Sequence, residues 1–268
     1  MDDSVFRRVV LRYYRRHGRH ALPWRIRTDP YAVLVSELML QQTQVDRVIP
    51  FFTRFVTRFP SFGHLARARQ VSVLKAWQGL GYNRRALNLH RCAKAVVAEH
   101  GGRLPGSYED LVALPGIGPY TAGAILAFAF DTPYPLIETN VRRVYLHHYF
   151  PGCKNVSDAR ILDVVERTLD RSHPRRWFSA LMDYGSHLAR TVENPNRRSR
   201  QYTRQSRFEG SDRQVRSSVV RFVLAERTVT ERRLCAELDV SPVRLRRILD
   251  GLRHEGFLMF RAGKVTCV

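Results

Sequence analysis

The chain has 268 residues, a formal net charge of +21 and a hydrophobic fraction of 44%. This length fits one large domain or two smaller ones, and this hydrophobic fraction is enough to form a core, which excludes a disordered basic tail. So large a positive surplus is typical of proteins that bind nucleic acid, while a membrane-surface protein is not favoured because no basic amphipathic helix stands apart from the rest.

The predicted body of the chain, residues 1–190, is all helical. Apolar periodicity predicts helices at 4–17, 30–45, 46–58, 63–68, 71–78, 84–99, 107–113, 119–130, 138–149, 157–170 and 174–190. Leu22–Arg25 is expected to be a loop, and Leu34, Leu38 and Val45 are expected to share one helix face. The helix at 119–130 is apolar on all sides, the pattern of a buried central helix.

Residues 191–216 are predicted to be a basic connector between two domains, because they contain little apolar sequence. Its arginines are Arg197, Arg198, Arg200, Arg204, Arg207, Arg213 and Arg216. Composition leaves two interpretations open, a solvated linker or a strap that follows DNA phosphates.

Residues 217–268 resemble a small winged helix. Helices are predicted at 217–226, 230–238 and 242–254, and a two-stranded wing at 257–260 and 265–268, joined by Ala262-Gly263. The helix at 242–254 carries four arginines: Arg244, Arg246, Arg247 and Arg253. Such a helix either lies in a DNA groove or packs against its own protein.

The cysteines give no sign of a metal site or a disulfide framework. Cys92, Cys153, Cys235 and Cys267 are far apart, and no pair has CxxC spacing. This usage fits a reducing cytosol, and the sequence shows neither a signal peptide nor an apolar run that could span a bilayer. We therefore expect a cytoplasmic protein with no bound metal and no membrane partner.

The segment LPGIGPY at 114–120 lies between two predicted helices. A Gly-x-Gly turn lets another backbone approach closely, and N–H groups at a helix N-terminus form an anion site that suits a phosphate. An ordinary helix–helix turn is the alternative.

Two acids lie among apolar residues, Glu37 in VSELML and Glu138 after PLI. Burial raises the pKa of a carboxyl group, which allows it to act as a general acid near neutral pH. Two carboxylates in unlike environments suit cleavage of a glycosidic bond. A pair of structural ion pairs with nearby arginines is the alternative.

Five ordered motifs resemble the helix-hairpin-helix, endonuclease III-like DNA glycosylase superfamily and, within it, the MutY-like adenine glycosylases. The motifs are LPWR at 22–25, SELMLQQTQV at 36–45, GLGY at 79–82, LPGIGPYTAGAI at 114–125 and ETNVRRV at 138–144. The similarity covers roughly residues 5–190. It implies an all-α helix-hairpin-helix fold with two helical lobes, here followed by the winged-helix-like domain.

The resemblance implies a role for each matching residue. Glu37 matches the acid that protonates the adenine ring, Tyr120 an active-site tyrosine, Glu138 a catalytic aspartate and Asn140 its neighbour. The base pocket is expected to include Trp24, Arg25 and Asp183. Contacts with DNA are expected from Gln42, Tyr82, Leu80, Leu114, Gly116, Ile117 and Gly118. Among these, Gln42 and Tyr82 would probe the duplex and fill the gap left by the extruded base, and 114–118 would grip a phosphate.

The chain departs from the family pattern in three ways. Glu138 stands where the family has aspartate, which moves the carboxylate by over ~1 Å. The cysteines that ligate an iron–sulfur cluster in most relatives are missing from the region near 187–207, so we expect no cluster and no other cofactor. The larger, Nudix-like C-terminal domain that reads 8-oxoguanine is replaced by the winged-helix-like segment.

The sequence therefore predicts a monofunctional DNA glycosylase of base excision repair, acting as a monomer on duplex DNA that contains a mispair or lesion. Adenine opposite 8-oxoguanine or guanine is the first choice of substrate. The alternatives are thymine or uracil opposite guanine, and a non-catalytic DNA-binding regulator. None of the four lysines lies in a motif, so Schiff-base chemistry and AP lyase activity are not expected.

Overall fold

The structure, a computed structural model, describes residues 1–203, 207–261 and 263–268. Its elements in chain order are α1 Asp3–His17, α2 Pro23–Ile26, α3 Pro30–Leu40, α4 Val45–Arg58, α5 Phe62–Arg67, α6 Gln70–Trp77, α7 Arg84–Glu99, α8 Tyr108–Ala113, α9 Pro119–Phe128, α10 Thr139–Tyr149, α11 Asp158–Thr168, α12 Pro174–Thr191, a 3₁₀ turn Pro195–Arg198, α13 Asp212–Glu226, β1 Thr228–Thr230, α14 Glu231–Leu238, α15 Pro242–His254, β2 Leu258–Arg261 and β3 Lys264–Cys267. The predicted helical body is confirmed. Arg204 of the predicted connector and Ala262 of the predicted wing lie outside the described residues.

The chain divides into two compact units. Unit 1 comprises Met1–Glu37 and Leu104–Arg204, and unit 2 comprises Leu38–Arg103 and Gln205–Val268. The division falls within α3, after Glu37. The predicted domain ranges 1–190, 191–216 and 217–268 follow the order of segments along the chain, whereas each unit combines two separate stretches.

The core of unit 1 forms where α1, α10 and α12 pack together. Phe6 of α1 is fully buried, and its ring meets Tyr145 of α10 at 5.2 Å and Trp177 of α12 at 5.8 Å between centroids. These large aromatic contacts contribute much of the apolar burial that fixes the three helices. In α9, every residue from Thr121 to Ala127 is buried, which confirms the prediction of a buried central helix.

The helices α4–α7 of unit 2 enclose an aromatic core in which Phe55 and Trp77 meet edge to face at 5.8 Å. The C-terminal elements pack against these helices. The Gln70 side chain donates a hydrogen bond to the Gly256 carbonyl at 2.7 Å, and Arg91 donates to the Glu255 carbonyl at 2.8 Å. These two bonds connect the chain that follows α15 to α6 and α7.

The C-terminal elements follow the order α13, β1, α14, α15, β2, β3, and their antiparallel sheet has the strand order β1-β3-β2. The predicted wing strands are present. Two of the α15 arginines, Arg244 and Arg247, pair with Asp212 in the first turn of α13 at 2.9 and 2.6 Å. Their guanidinium groups therefore help to hold α15 against α13.

Four features differ from the sequence-based expectations. Helix α3 ends at Leu40 rather than 45, and the residues at 22–25 that were expected as a loop form most of the short helix α2. Helix α13 begins at Asp212 because Ser211 caps it by accepting from the Gln214 N–H, so the helix starts before the predicted 217. Strand β1 has only three residues, too few to show alternation.

Within the described ranges, no helix combines the length and the apolar character needed to cross a bilayer.

Candidate active site and duplex-contacting residues

Glu37 lies near the end of α3, a helix that is apolar around most of its circumference. The residue is only 8% exposed, and its neighbours Ser36 and Leu38 are each 1% exposed. A carboxyl group in such surroundings loses free energy of hydration and requires a partner. That partner is Tyr120 in the first turn of α9, whose hydroxyl donates a hydrogen bond to Oε2 of Glu37 at 3.2 Å.

The environment changes the protonation of both groups in this pair. Burial raises the pKa of Glu37 to about 7; the hydrogen bond from Tyr120 opposes this shift, and the negative charge of Glu138 adds to it. Burial, with the charges of Glu37 and Glu138, raises the pKa of Tyr120 well above its ordinary value. The phenol therefore remains a donor, and Glu37 is poised to hold a proton near neutral pH.

Glu138 is the N-cap of α10. Its Oε1 accepts the backbone N–H groups of Asn140 at 2.6 Å and Val141 at 2.8 Å. Aspartate, asparagine, serine and threonine are the usual N-cap residues, and here the longer glutamate side chain curls back to the same kind of N–H groups. The extra methylene is thus taken up by the capping geometry.

The capping bonds matter for the charge of this carboxylate. Burial raises the pKa of Glu138, and the two backbone N–H groups together with Arg143 and Arg142 oppose the shift. The N-terminus of α10 also favours negative charge. These donors favour the ionised form, but burial is the larger effect, and the net pKa of Glu138 lies above its ordinary value.

Asn140 is held from both ends of its amide. Its Nδ2 donates to Oε2 of Glu138 at 3.2 Å, and its Oδ1 accepts from Arg143 at 2.7 Å. Arg143 is itself buried and also donates to the Gly185 carbonyl at 2.9 Å. A Cβ added at Gly185 would lie 2.4 Å from the Asn140 carbonyl oxygen, so α12 approaches α10 where only glycine fits.

The segment 114–118 joins α8 to α9. Leu114 and Ile117 are 4% exposed and anchor it, whereas Gly116, at φ +79°, and Gly118 face outward. Gly118 is the N-cap of α9 and offers no side chain to the N–H groups of the first turn. The phosphate-binding role of this turn stays a prediction, and the turn leads directly into the helix that carries Tyr120.

Arg25 forms an ion pair with the buried Asp183, and the preceding residue, Trp24, is buried as well. Trp24 is 9% exposed, and Asp183 on α12 is 3% exposed. Arg25 grips Asp183 with two hydrogen bonds of 2.6 and 3.0 Å, and the backbone N–H of Arg19 adds a third at 2.8 Å. Burial raises the pKa of Asp183, but the bonds from Arg25 and Arg19 outweigh it, so the net pKa lies below the ordinary value. The carboxylate positions α2 and the chain that precedes it.

The predicted DNA-contacting residues Gln42, Leu80 and Tyr82 belong to unit 2. Gln42 and Tyr82 both adopt left-handed backbone conformations, with φ +56° and +45°, which non-glycine residues rarely accept without support. Leu80 is 4% exposed and anchors its loop, while Tyr82 is 39% exposed.

Arg85 supplies that support for both loops. Its guanidinium donates to the carbonyls of Leu38 at 2.9 Å, Met39 at 2.8 Å and Gly81 at 3.0 Å, and its Nε donates to the Tyr82 carbonyl at 3.3 Å. The guanidinium thus satisfies the carbonyls at the end of α3 and those of the 79–82 loop together. Burial lowers the pKa of Arg85 to about 10, so it stays charged at neutral pH.

Sequence reasoning missed several residues that build these sites. They are Arg143, Gly185, Arg85 and Arg19. Arg143 lies inside the ETNVRRV motif, and Gly185 is a glycine within a predicted helix; both are signals that could have found them. Arg85 and Arg19 carry no local signal, because their partners are distant in sequence.

The donors for an iron–sulfur cluster do not come together. Such clusters are held by four thiolates, and the structure brings no three of Cys92, Cys153, Cys235 and Cys267 together as a metal-binding group. Within the described part of the chain, no group of three or more His, Cys, Asp or Glu could hold a metal ion. In the region near 187–207, Asn196 donates to the Thr139 carbonyl at 3.1 Å, which ties the 3₁₀ turn to α10. The residues present do not fit a cluster, and its absence stays a prediction.

The chain is similar to known proteins both in sequence and in fold. The adenine DNA glycosylase of Mycolicibacterium smegmatis is 36% identical over 264 residues, which cover 90% of this chain and 89% of that protein. The adenine DNA glycosylase of Buchnera aphidicola subsp. Baizongia pistaciae is 38% identical over 69% of this chain, and the match spans only 53% of that relative's length. A solved thermostable thymine-DNA glycosylase has a TM-score of 0.63 at 23% identity, over 72% of this chain and 90% of that one, which shows a shared fold.

Residues 35–165 match the family model described as HhH-GPD superfamily base excision DNA repair protein. That stretch contains Glu37, Tyr120, Glu138, Asn140 and the 114–118 turn. With the similarity over most of the length of the Mycolicibacterium relative, these findings show that the chain belongs to the HhH-GPD superfamily of base excision DNA repair proteins.

Proposed function

We propose that this chain is a monofunctional DNA glycosylase that hydrolyses the N-glycosidic bond of an adenine extruded from duplex DNA, opposite 8-oxoguanine or guanine. The observation that carries the proposal is the buried pair of Glu37 and Tyr120, placed close enough to Glu138 for its charge to raise the pKa of both. The relatives named adenine DNA glycosylase support adenine as the base.

The geometry suggests a distribution of roles. Glu37, protonated near neutral pH, donates its proton to a ring nitrogen of the extruded base, and the electron pair of the glycosidic bond leaves with the base. The sugar then carries positive charge at C1′, which the ionised Glu138 stabilises from the N-terminus of α10. Water adds at C1′ and releases a proton, which completes the hydrolysis. Asn140, fixed by Arg143, keeps the Glu138 carboxylate in place.

Binding of the duplex is proposed to use the 114–118 turn as a phosphate site, with the extruded base entering near Trp24 and Arg25. The net charge of +21 supports a polyanionic partner. We propose that the protein acts as a monomer in the cytoplasm, at the nucleoid, where duplex DNA is found. AP lyase activity is not part of the proposal, because no lysine is found in the motifs that carry the site.

A second candidate is a thymine or uracil glycosylase that acts opposite guanine. Tyr120 favours it, because related mismatch glycosylases use tyrosine at that position. A non-catalytic DNA-binding regulator would be consistent with Glu138 in place of aspartate. A protein without catalytic activity, however, has no need of a buried Glu37 that holds a proton near neutral pH and accepts a hydrogen bond from Tyr120.

The test uses end-labelled duplexes that contain A·8-oxoguanine, A·G, T·G or U·G, incubated with purified protein and then treated with alkali. We expect strand breaks after alkali only, and fastest for the adenine mispairs. Glu37→Gln should lower the single-turnover rate by about 10²–10⁴-fold, the usual contribution of a general acid, with little change in DNA affinity. Glu99→Gln, the same chemical change at an exposed helix end, is the matched control. Breakage limited to T·G or U·G would favour the second candidate, and no breakage on any duplex would leave only the regulator.

A further inference from the structure

Asn196 is a buried polar residue to which the proposed function assigns no role. It is the second residue of the 3₁₀ turn Pro195–Arg198 and is only 5% exposed. Its Nδ2 donates a hydrogen bond to the Thr139 carbonyl oxygen at 3.1 Å. Because a carbonyl oxygen can only accept, the amide must present its nitrogen to this atom. The burial of the amide also removes water as a competitor for the bond, which strengthens it.

The turn that carries Asn196 is anchored to unit 1 by bonds of its own. In a parallel backbone bridge, the Val156 N–H donates to the Arg198 carbonyl at 2.8 Å, and the Arg200 N–H donates to the Val156 carbonyl at 2.9 Å. The Arg198 guanidinium donates to the Phe150 carbonyl at 2.8 Å. These three bonds do not use the Asn196 side chain, so we expect the turn to stay in place when that side chain is changed.

The peptide group between Thr139 and Asn140 connects Asn196 to Glu138. Its carbonyl oxygen accepts from Asn196, and its N–H, which belongs to Asn140, donates to Oε1 of Glu138 at 2.6 Å. The carbonyl and the N–H of one peptide group lie in a single rigid plane. Asn196 and Glu138 therefore bind opposite ends of the same plane, and a rotation of the plane that breaks one bond also disturbs the other.

The two bonds also strengthen each other electrostatically. A donor at the carbonyl polarises the peptide group and makes its N–H a better donor, by about 10–30% per bond in such a chain. The acceptor at the end of this chain is a carboxylate, so the gain applies to a charge-assisted hydrogen bond. Asn196 thus favours the ionised form of Glu138 through a peptide group rather than through a direct bond.

Other charged and titratable groups act on Glu138 besides this chain. Arg142 and Arg143 of α10 favour its ionised form, whereas burial is the larger effect and raises its pKa. Glu37 of α3 and Tyr120 of α9 lie close enough for the charge of Glu138 to raise the pKa of both. Because the burial penalty and the donors oppose each other, the loss of one donor should raise the pKa of Glu138 further.

We propose that Asn196 is a positioning residue for excision, which aligns and polarises the Thr139–Asn140 peptide so that its N–H holds the Glu138 carboxylate in place. This inference rests on the proposed function, since it assumes that an ionised Glu138 stabilises the charged sugar. It extends the site from α10 to the 3₁₀ turn after α12, which lies outside the five sequence motifs.

The kinetic test measures single-turnover excision of adenine opposite 8-oxoguanine between pH 5 and 9. Asn196→Ala removes the donor, and Asn196→Leu removes it while a branched side chain still fills the space. Both variants should lower the maximal rate about 10-fold, because the carboxylate is misplaced. Both should also move the rising limb of the pH profile, which follows the ionisation of Glu138, to a pH about 0.5 higher. The affinity for a duplex with an uncleavable tetrahydrofuran abasic site should stay the same.

Asn194→Ala is the matched control within the same turn. The Asn194 side chain accepts from the Asn196 N–H at 3.1 Å and caps the turn, but it takes no part in the bond to Thr139. This variant should lower the thermal stability and leave the rising limb in place. A limb that stays in place for Asn196→Ala would overturn the inference. So would a limb that moves for Asn196→Ala and not for Asn196→Leu, because a cavity would then be the cause.

A second test follows the amide signal of Asn140 by NMR in intact protein labelled with ¹⁵N at asparagine. Because the Asn140 N–H donates to Glu138, its chemical shift should change as that carboxyl group ionises. The midpoint should lie at a higher pH in Asn196→Ala than in wild type, and equal midpoints would refute the proposed link. The measurement needs neither DNA nor excision. A shifted midpoint in a protein that excises no base would therefore overturn the proposed activity and still support the link between Asn196 and Glu138.

Discussion

The Tyr120 hydroxyl donates a hydrogen bond of 3.2 Å to Oε2 of Glu37, across 83 residues of sequence. The bond couples the first turn of α9, which follows the 114–118 turn, to the acid near the end of α3. Because the phenol favours the ionised carboxyl, it restrains the rise in the pKa of Glu37 that burial causes. The tyrosine thereby sets the pH range in which the acid holds its proton.

This relationship predicts the pH dependence of excision. The rate should fall as the pH rises through about 7, because Glu37 must be protonated to act as an acid. Tyr120→Phe removes a group that lowers the pKa of Glu37, so the falling limb should move to higher pH. Single-turnover rates between pH 5 and 9 measure the effect, and Tyr202→Phe, at a 42% exposed position, is the control. A limb that stays in place in Tyr120→Phe would contradict the assignment of that limb to Glu37.

The same shift predicts how stability varies with pH. The folded pKa of Glu37 is raised above its ordinary value of 4.5 to about 7, so the folded state binds the proton more tightly than the unfolded state does. The stabilisation is fully present below pH 4.5 and is lost as the pH rises through about 7. The free energy of unfolding, from urea titrations over this window, should therefore decrease less steeply with pH for Glu37→Gln than for wild type. Parallel curves would show that Glu37 does not titrate in this window.

The close approach of α12 to α10 predicts the effect of Gly185→Ala. The new Cβ would lie 2.4 Å from the Asn140 carbonyl oxygen, which forces the two helices apart. Overpacking of this kind costs about 1–3 kcal/mol, and the displaced Asn140 should also slow excision. Gly63→Ala in α5 is the matched control, because its nearest neighbour would be 3.5 Å away. It should be neutral or stabilising by about 0.5–1 kcal/mol in the same thermal unfolding measurement. Equal stabilities would argue against the tight packing at Gly185.

The Asp183 cluster predicts a large difference between a buried and an exposed ion pair. Asp183→Asn removes a buried charge from beside Arg25 and Arg19 and should cost about 3–5 kcal/mol. Asp29→Asn, at a pair with Arg27 in which both side chains are 40% exposed, should cost under about 1 kcal/mol.

The pH dependence of the Asp183 contribution has the opposite sign to that of Glu37. Its net pKa is lowered, so its stabilisation is present above the ordinary value of 3.8 and is lost as the pH falls through the folded pKa. Chemical denaturation at neutral pH and below pH 4 would measure both effects. Similar losses for Asp183→Asn and Asp29→Asn would contradict a structural role for the cluster.

Structural features that depend on a short-range sequence pattern were predicted from the sequence. The apolar ring of residues in α9 predicted its burial, and the ordered motifs predicted that Glu37, Tyr120 and Glu138 belong to one group. The end of α3 was wrong because Leu34, Leu38 and Val45 continue a helical spacing across a break. The break itself depends on Arg85, which lies in another helix and captures carbonyls that a continuing helix would have used.

Two further features were not predicted. The capping of α10 by Glu138 is local, since its partners are the N–H groups of Asn140 and Val141, but glutamate is not among the residues that usually indicate an N-cap. A cavity in unit 2 is lined both by α13 and by the loops after α3 and before α7, stretches of chain that are far apart in sequence. No periodicity within either stretch encodes such a pairing.

Arg85 restricts which changes the two loops that it binds can accept. One guanidinium secures both the segment after α3 and the loop before α7, so neither can be lengthened, shortened or exchanged for that of a relative without releasing the other. A chimera that takes one of these loops from a relative should therefore take the other loop and the arginine from the same relative. We therefore expect the two loops to change together, although more than thirty residues, which include α4, α5 and α6, separate them in the sequence.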